Sequence, residues 1–177
     1  MRVGVVGVGY VGLVTAACLA DSGTDVICVD SNEEKIRQLR EGVIPIYEPG
    51  LAEIVNRTRT TRRLQFTTSL KEAVEKSLLL FIAVGTPSGQ DGSADLSAVF
   101  RVAEGIAEHM DGYRILVGKS TVPVGTHAKI SERVAARTRQ PFDYVSNPEF
   151  LKEGSAIDDF MKPERIIVGA RDPKVRE

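Results

Sequence analysis

Apolar positions follow two alternating patterns along the chain. Short β-branched runs at Arg2–Val6, Asp25–Asp30, Leu64–Thr67, Leu78–Val84, Arg114–Gly118, Phe142–Ser146 and Arg165–Gly169 predict strands. Most are continuously apolar rather than alternating, the mark of a strand covered on both faces, and Leu78 through Val84 is the clearest case. Between them, helical spacing predicts helices at Tyr10–Ser22, Asn32–Glu41, Pro49–Arg59, Leu70–Lys76, Leu96–Met110 and Thr126–Thr138. In the fifth, Leu96, Val99, Phe100, Ala103, Ile106, Ala107 and Met110 form one stripe, and Asp95 stands at the expected N-cap. Strands alternating with amphipathic helices predict a doubly wound, mostly parallel α/β sheet with helices on both faces.

Composition narrows the class without changing that picture. With 177 residues, 42% of them apolar and 27% charged, the chain suits one soluble domain with a real core. Lysine plus arginine (23) nearly balance aspartate plus glutamate (24), so the footprint of a non-specific nucleic-acid binder is missing. No apolar run reaches bilayer-spanning length, and the first strand begins at once, leaving no room for a signal peptide. A cytoplasmic protein is expected. The loosest stretch, Gly85–Asp95, is poor in apolar side chains; it is either a mobile surface connection or, since it follows a strand's carboxyl end, a cofactor-side loop. Near the end, Asp172 and Pro173 predict a helix start, read as the point where the chain is cut short on entering a further domain.

The first strand leads into Gly7-Val8-Gly9-Tyr10-Val11-Gly12. Gly7 allows a tight turn, Gly9 lets backbone approach a pyrophosphate, and Gly12 lets helix and strand pack closely. The helix that follows offers free N–H groups and the positive end of its dipole to phosphates. The second strand ends in Asp30, eighteen residues past Gly12, where a carboxylate accepts from a ribose diol and repels a 2′-phosphate. That context predicts a Rossmann-type domain that takes NAD in preference to NADP.

Other clusters leave alternatives open. Gly118-Lys119-Ser120 is not a P-loop, because the spacing from Gly112 is wrong and Val122-Pro123 prevents an immediate helix. Thr121 either projects toward the nicotinamide region or makes an ordinary turn before a helix. Asn147 can cap a turn led by Pro148, setting Glu149 and Glu153 four apart on one face; they are either catalytic acids or simply favourable charges at a helix start. Cys18 and Cys28 read as core thiols. His109 suits a helix C-terminus, His127 reads as solvated, and no metal constellation is visible. Arg57, Arg59, Arg62 and Arg63 read as a solvated helix end.

Six blocks then occur in order: GVGYVGL (7–13), YEPGL (47–51), FIAVGTP (81–87), GKSTVPVGT (118–126), SNPEFLKEG (146–154) and KPERIIVG (162–169). On these the chain resembles the UDP-glucose/GDP-mannose dehydrogenase family, and the fourth and sixth blocks favour its UDP-glucose branch over the GDP-mannose one. The resemblance implies oxidation of a nucleotide-sugar C6 alcohol to a carboxylate with two NAD and one water, through a cysteine-bound thiohemiacetal and thioester. It implies that Gly7, Val8, Gly9, Tyr10, Val11 and Gly12 bind the pyrophosphate, and that Asp30 holds the adenosine ribose beside Lys35. Val84, Gly85, Thr86 and Pro87 would line the cofactor. Ser120, Thr121 and Val122 would contact its nicotinamide half, with Thr121 also orienting water. Glu149 would be the general acid/base. Glu149, Phe150, Leu151, Lys152 and Glu153 would face UDP-glucose, Glu153 also reaching the cofactor. The family's nucleophilic cysteine belongs to a Gly-Gly-x-Cys-x-Pro-Lys-Asp block that these 177 residues do not contain, so this chain is expected to bind NAD without completing the reaction. The resemblance also implies a homodimer or larger assembly for the intact protein. A stand-alone dinucleotide-sensing module is the alternative from another class.

Overall fold

The computed structural model describes residues 1–89 and 91–176; Gln90, inside the loose 85–95 connection, and Glu177, at the end of the expected last helix, lie outside the described residues. Strands β1 (Arg2–Val6), β2 (Asp25–Val29), β3 (Leu64–Thr67), β4 (Leu79–Ile82), β5 (Arg114–Gly118) and β6 (Phe142–Ser146) form one sheet. All its pairings are parallel and its order is β3-β2-β1-β4-β5-β6. The order reverses between β1 and β4, so their carboxyl ends diverge into a crevice, the place where such sheets bind ligands. This is a Rossmann-type α/β fold.

Helices α1 (Tyr10–Asp21), α2 (Glu33–Glu41), α3 (Leu51–Thr60), α4 (Leu70–Lys76), α5 (Ser97–His109), α6 (Thr126–Ala135) and α7 (Ala156–Met161) cover the two faces. Two cores result. One joins Val3, Val5, Leu13, Ala17, Leu51 and Val55 beneath α1 and α3; the other joins Ile82, Ile106, Leu116, Ile130 and Val134 beneath α5 and α6. Helix α1 is apolar almost all round because it lies between the sheet on one side and α3 and α7 on the other. Asn32 caps α2 by accepting from the Lys35 amide at 3.0 Å, and Ser69 caps α4 in the same way. Asp95 accepts from the Ser97 amide at 2.8 Å but is not the N-cap: α5 begins at Ser97, one residue later than expected, so Leu96 takes the cap position. Cys18 and Cys28 are wholly buried, and burial pushes the Cys18 thiol up to about 12 and Cys28 higher still, so both are core thiols.

Three further expectations need correction. Arg165–Gly169 forms no strand: Ser146 and Gly169 exchange two antiparallel bonds of 2.8 Å, and the pairing stops there. Pro148 has no N–H with which to extend it, and the Asn147 side-chain amide takes the Ile167 carbonyl instead, at 2.9 Å. Asn147 caps no helix, since residues 147–152 are irregular and the next helix, α7, starts at Ala156; Glu149 and Glu153 therefore share no helical face. His127 is half-buried, edge-on to Tyr144 with ring centroids 4.8 Å apart, rather than solvated. Of the arginines at the end of α3, Arg57, Arg62 and Arg63 are exposed as expected; Arg57 also pairs with Asp21, and the guanidinium groups of Arg59 and Arg63 donate to the carbonyls of Arg40 and Gly23. The 85–95 connection folds on itself through a Ser88–Ala94 bridge and a bond from the Asp95 amide to the Pro87 carbonyl.

Candidate dinucleotide-binding site

Each glycine of the first turn answers a different steric demand. Gly7 has φ +97°, and a Cβ there would lie 2.8 Å from the Ala83 carbonyl oxygen. Gly12 is tighter still, since a Cβ would meet the Gly7 carbonyl oxygen at 1.9 Å. Gly9 is the reverse: it is exposed, caps α1 without a side chain, and has nothing within 4 Å of its missing Cβ. The space beside Gly9, where the first N–H groups of α1 have no partner within the helix, is therefore open, which suits an anion.

Asp30 closes the neighbouring strand end. One carboxylate oxygen accepts from the Val8 amide and the Lys35 ammonium, and the other from the Asn32 amide, each at 3.0 Å. Burial alone would raise this carboxyl, but the amides of Asn32 and Val8 and the Lys35 charge together hold it below its ordinary value. The acid is thus ionised and bonded directly to the glycine turn.

On the other side of the switch point, Gly9, Tyr10, Val11, Ala83, Val84, Gly85, Thr86, Ser120, Thr121 and Glu149 line one cleft. The Ser120 hydroxyl donates to the Val84 carbonyl at 2.7 Å, and the Thr86 hydroxyl donates to the Thr121 carbonyl at 3.2 Å, so the turns after β4 and β5 are cross-tied. Thr121 is exposed and Glu149 half-buried, its carboxylate accepting from the Leu151 amide at 3.0 Å. The cleft thus sets a carboxylate and hydroxyls opposite the open helix mouth. Pro87, Val122 and Glu153 lie outside this lining. Phe150 and Leu151 line a second, more apolar pocket with Lys119, Asn147, Phe160 and Arg165, where the Arg165 guanidinium sits 4.7 Å from the Phe150 ring centre. Lys152 is exposed and donates its amide to Asp159.

Two buried charged groups at the site escaped the sequence reading. Lys119 is only 7% exposed, donates to the Asn147 side chain at 3.1 Å, and sits 5.9 Å from the Phe160 ring centre. Burial lowers its pKa, against the partial support of the Glu149 charge. Its signal was the lysine directly after an apolar strand. Glu48, 5% exposed, accepts from the Tyr10 hydroxyl and from the amides of Gly154 and Ala156 at 2.7 and 2.8 Å. Nothing in the local pattern around Glu48 announces those partners.

A parallel sheet with this strand order, a glycine turn into α1 and an acid at the end of β2 define a Rossmann-type dinucleotide-binding domain. More particularly, residues 1–177 match the model of the UDP-glucose/GDP-mannose dehydrogenase family, NAD binding domain, and the chain belongs to that family. Among curated relatives it is 49% identical over 175 residues to the UDP-glucose 6-dehydrogenase TuaD of Bacillus subtilis, covering 98% of this chain and 38% of that protein. It is 50% identical over 182 residues to a UDP-glucose 6-dehydrogenase of Pseudomonas aeruginosa, covering 100% and 40%. Among solved structures, a UDP-glucose dehydrogenase from Pyrobaculum islandicum superposes with a TM-score of 0.95 at 42% identity, over 99% of this chain and 42% of that one. A GDP-mannose dehydrogenase from Pseudomonas aeruginosa gives 0.96 at 36%, with the same coverage. The chain spans about two fifths of the length of these proteins.

Proposed function

We propose that this chain is the NAD-binding part of a UDP-glucose 6-dehydrogenase, and that the crevice between the β1 and β4 ends holds the dinucleotide. The observation that carries this is the open Gly9 at the mouth of α1, with the ionised Asp30 carboxylate bonded to the same turn through Val8. NAD fits these residues. Amides from Gly9 to Gly12 would take the pyrophosphate and Asp30 with Lys35 the adenosine ribose; Val84 to Pro87 would line the cofactor, and Ser120, Thr121 and Val122 would contact its nicotinamide half. The Asp30 charge opposes a 2′-phosphate and so favours NAD over NADP. Bound there, NAD supplies the hydride acceptor.

The chain's own residues would exclude water from one side of the crevice and move protons. Glu149 is the general acid/base, and the Thr121 hydroxyl orients the water consumed in the second half-reaction. The overall balance is one primary alcohol, two NAD and one water giving a carboxylate, two NADH and three protons. Phe150, Leu151, Lys152 and Glu153 would face the UDP-sugar. The thiol nucleophile, the uridine site and the subunit interface would come from segments outside these 177 residues, so this chain alone binds the cofactor and does not turn over. The backbone superposes equally well on a GDP-mannose dehydrogenase; the preference for UDP-glucose rests on the higher identity to enzymes of that name.

Titration calorimetry tests the reading. NAD should bind with a Kd between micromolar and millimolar, and Asp30→Ala should weaken NAD at least tenfold while barely changing a dinucleotide whose adenosine ribose lacks its diol. No heat at millimolar NAD counts against the cofactor; equal losses for both nucleotides remove the ribose assignment.

A further inference from the structure

Glu48 is a buried carboxylate whose bonds reach well beyond its own element. Its backbone is fixed where α3 begins, since the Leu51 amide donates to its carbonyl at 3.1 Å and Leu51 and Val55 are wholly buried. Its Oε2 accepts from the Tyr10 hydroxyl and the Gly154 amide, and its Oε1 from the Ala156 amide. These partners are a phenol and backbone amides, not a cation. An acid is expensive to bury, and an apolar side chain would pack α7 against α3 without that expense. What an apolar side chain would not do is join these partners, one beside Gly9 at the helix mouth and the other beside Glu153.

We propose that Glu48 is a positioning residue: its carboxylate fixes the 147–154 segment, with Glu149 and Glu153, at a set distance from the dinucleotide turn by holding Tyr10 on one side and Gly154 and Ala156 on the other. This rests on the dinucleotide function proposed above. Only an ionised carboxylate suits the post, because every partner is a donor. A glutamine of equal reach would turn its NH2 toward one of them, and an aspartate would fall a methylene short. The bonds from Tyr10, Gly154, Ala156 and Ile157 outweigh burial and hold the Glu48 carboxyl below its ordinary value, keeping it charged. Burial and that same bond push the Tyr10 phenol up to about 12. Gly154, at φ +89°, is the point where the segment turns toward α7, so its amide is the natural place to pin it.

Amide hydrogen exchange on the whole chain, with NAD titration, tests this. In Glu48→Gln the sheet amides should keep their protection, while Gly154 and Ala156 exchange at least tenfold faster and the Kd for NAD rises three- to tenfold. Because Tyr10 and Glu48 act through one contact, the double variant with Tyr10→Phe should lose no more than about twice the affinity lost by the weaker-binding single variant, whereas a merely structural role gives losses that multiply. Retained protection at Gly154 and Ala156, or multiplying losses, overturns the proposal. If Glu48→Gln does not fold, Tyr10→Phe decides alone: Tyr10 and Gly154 share one carboxylate oxygen, so unmoved Gly154 and Ala156 amide resonances sink the idea. Failure of the unaltered chain to bind NAD at all strikes the cofactor assignment instead, and the exchange rates still judge Glu48.

Discussion

The two sides of the crevice are held by different means. Beside β1 and β2 the geometry is backbone against backbone: Gly12 lies against the Gly7 carbonyl, Gly7 against Ala83, and the Gly7 amide donates to the Val29 carbonyl at 2.8 Å. Beside β5 and β6 the chain leaves regular structure, and alongside a few backbone bonds, such as that from the Asn147 amide to the Gly118 carbonyl at 2.9 Å, single side chains hold it: Ser120 on the Val84 carbonyl, Lys119 on Asn147, Asn147 on the Ile167 carbonyl. The first arrangement has almost no adjustable part, because moving any atom drives backbone into backbone. The second can relax when one bond is lost. A dinucleotide's phosphates need a fixed cradle, whereas residues that handle a proton must meet a substrate whose position changes as it reacts. Rigidity on one side and adjustability on the other is therefore a division that suits the reaction proposed above.

Substitution should expose that contrast, and the largest effect belongs to the rigid side. Gly12→Ala forces a methyl to within 1.9 Å of a carbonyl oxygen that cannot move without shifting the strand end. Urea unfolding should show a loss of about 3 kcal/mol or more, at the top of the range for overpacking. NAD affinity should fall beyond detection in the fraction that remains folded. Wild-type affinity in Gly12→Ala would show that this turn is as adjustable as its neighbour. On the other side, Ser120→Ala removes one half-buried bond to the Val84 carbonyl. It should cost about 1 kcal/mol, the net value of one ordinary hydrogen bond, and weaken NAD by a small factor only. A loss equal to that of Gly12→Ala would erase the distinction.

The same contrast decides what could be read from the chain before its coordinates. Gly7, Gly9, Gly12 and Asp30 were legible because each meets a demand set within its own turn or at the next strand end. The six strands and the parallel sheet were legible because most strands, covered on both faces, leave a continuous apolar run, and α5 because its one buried face leaves a stripe. Arg165–Gly169 carried that same β-branched composition and still formed no strand: Ile166 is 70% exposed, and whether an apolar run pairs depends on the partner, here a strand that ends at Ser146, two residues before a proline. Helix α7 was missed because six residues are too few to show a periodic stripe. Glu48 was invisible as a buried hub because its partners lie 38, 106 and 108 positions away, a relation that no window of sequence contains.

The smallest expected effect is the most discriminating, because it concerns the one ammonium buried on the adjustable side. Lys119 has its pKa lowered by burial, so the folded state binds its proton less tightly than the unfolded chain, whose lysine keeps the ordinary value of 10.5. Between the lowered value and 10.5 the unfolded state carries the extra proton, and stability must therefore rise as pH climbs through that window. Tyr10, Tyr113 and Tyr144, all pushed up to about 12, act in the opposite sense above the ordinary tyrosine value of 10.0, and the buried thiols of Cys18 and Cys28 already do so above 9.0, so the lysine is isolated by the difference between the unaltered chain and a variant lacking it. Lys119→Met fills a similar volume and removes both the charge and its desolvation. Its stability at neutral pH should lie within about 1 kcal/mol of the unaltered chain, since replacing a buried charge with an apolar side chain of similar size is often neutral or better. As pH climbs through the lysine's window, the urea midpoint of the unaltered chain should rise relative to that of the variant. An identical slope in both proteins would mean that Lys119 is solvated, and that the pocket it shares with Phe150 and Leu151 is open to water rather than closed around a charge.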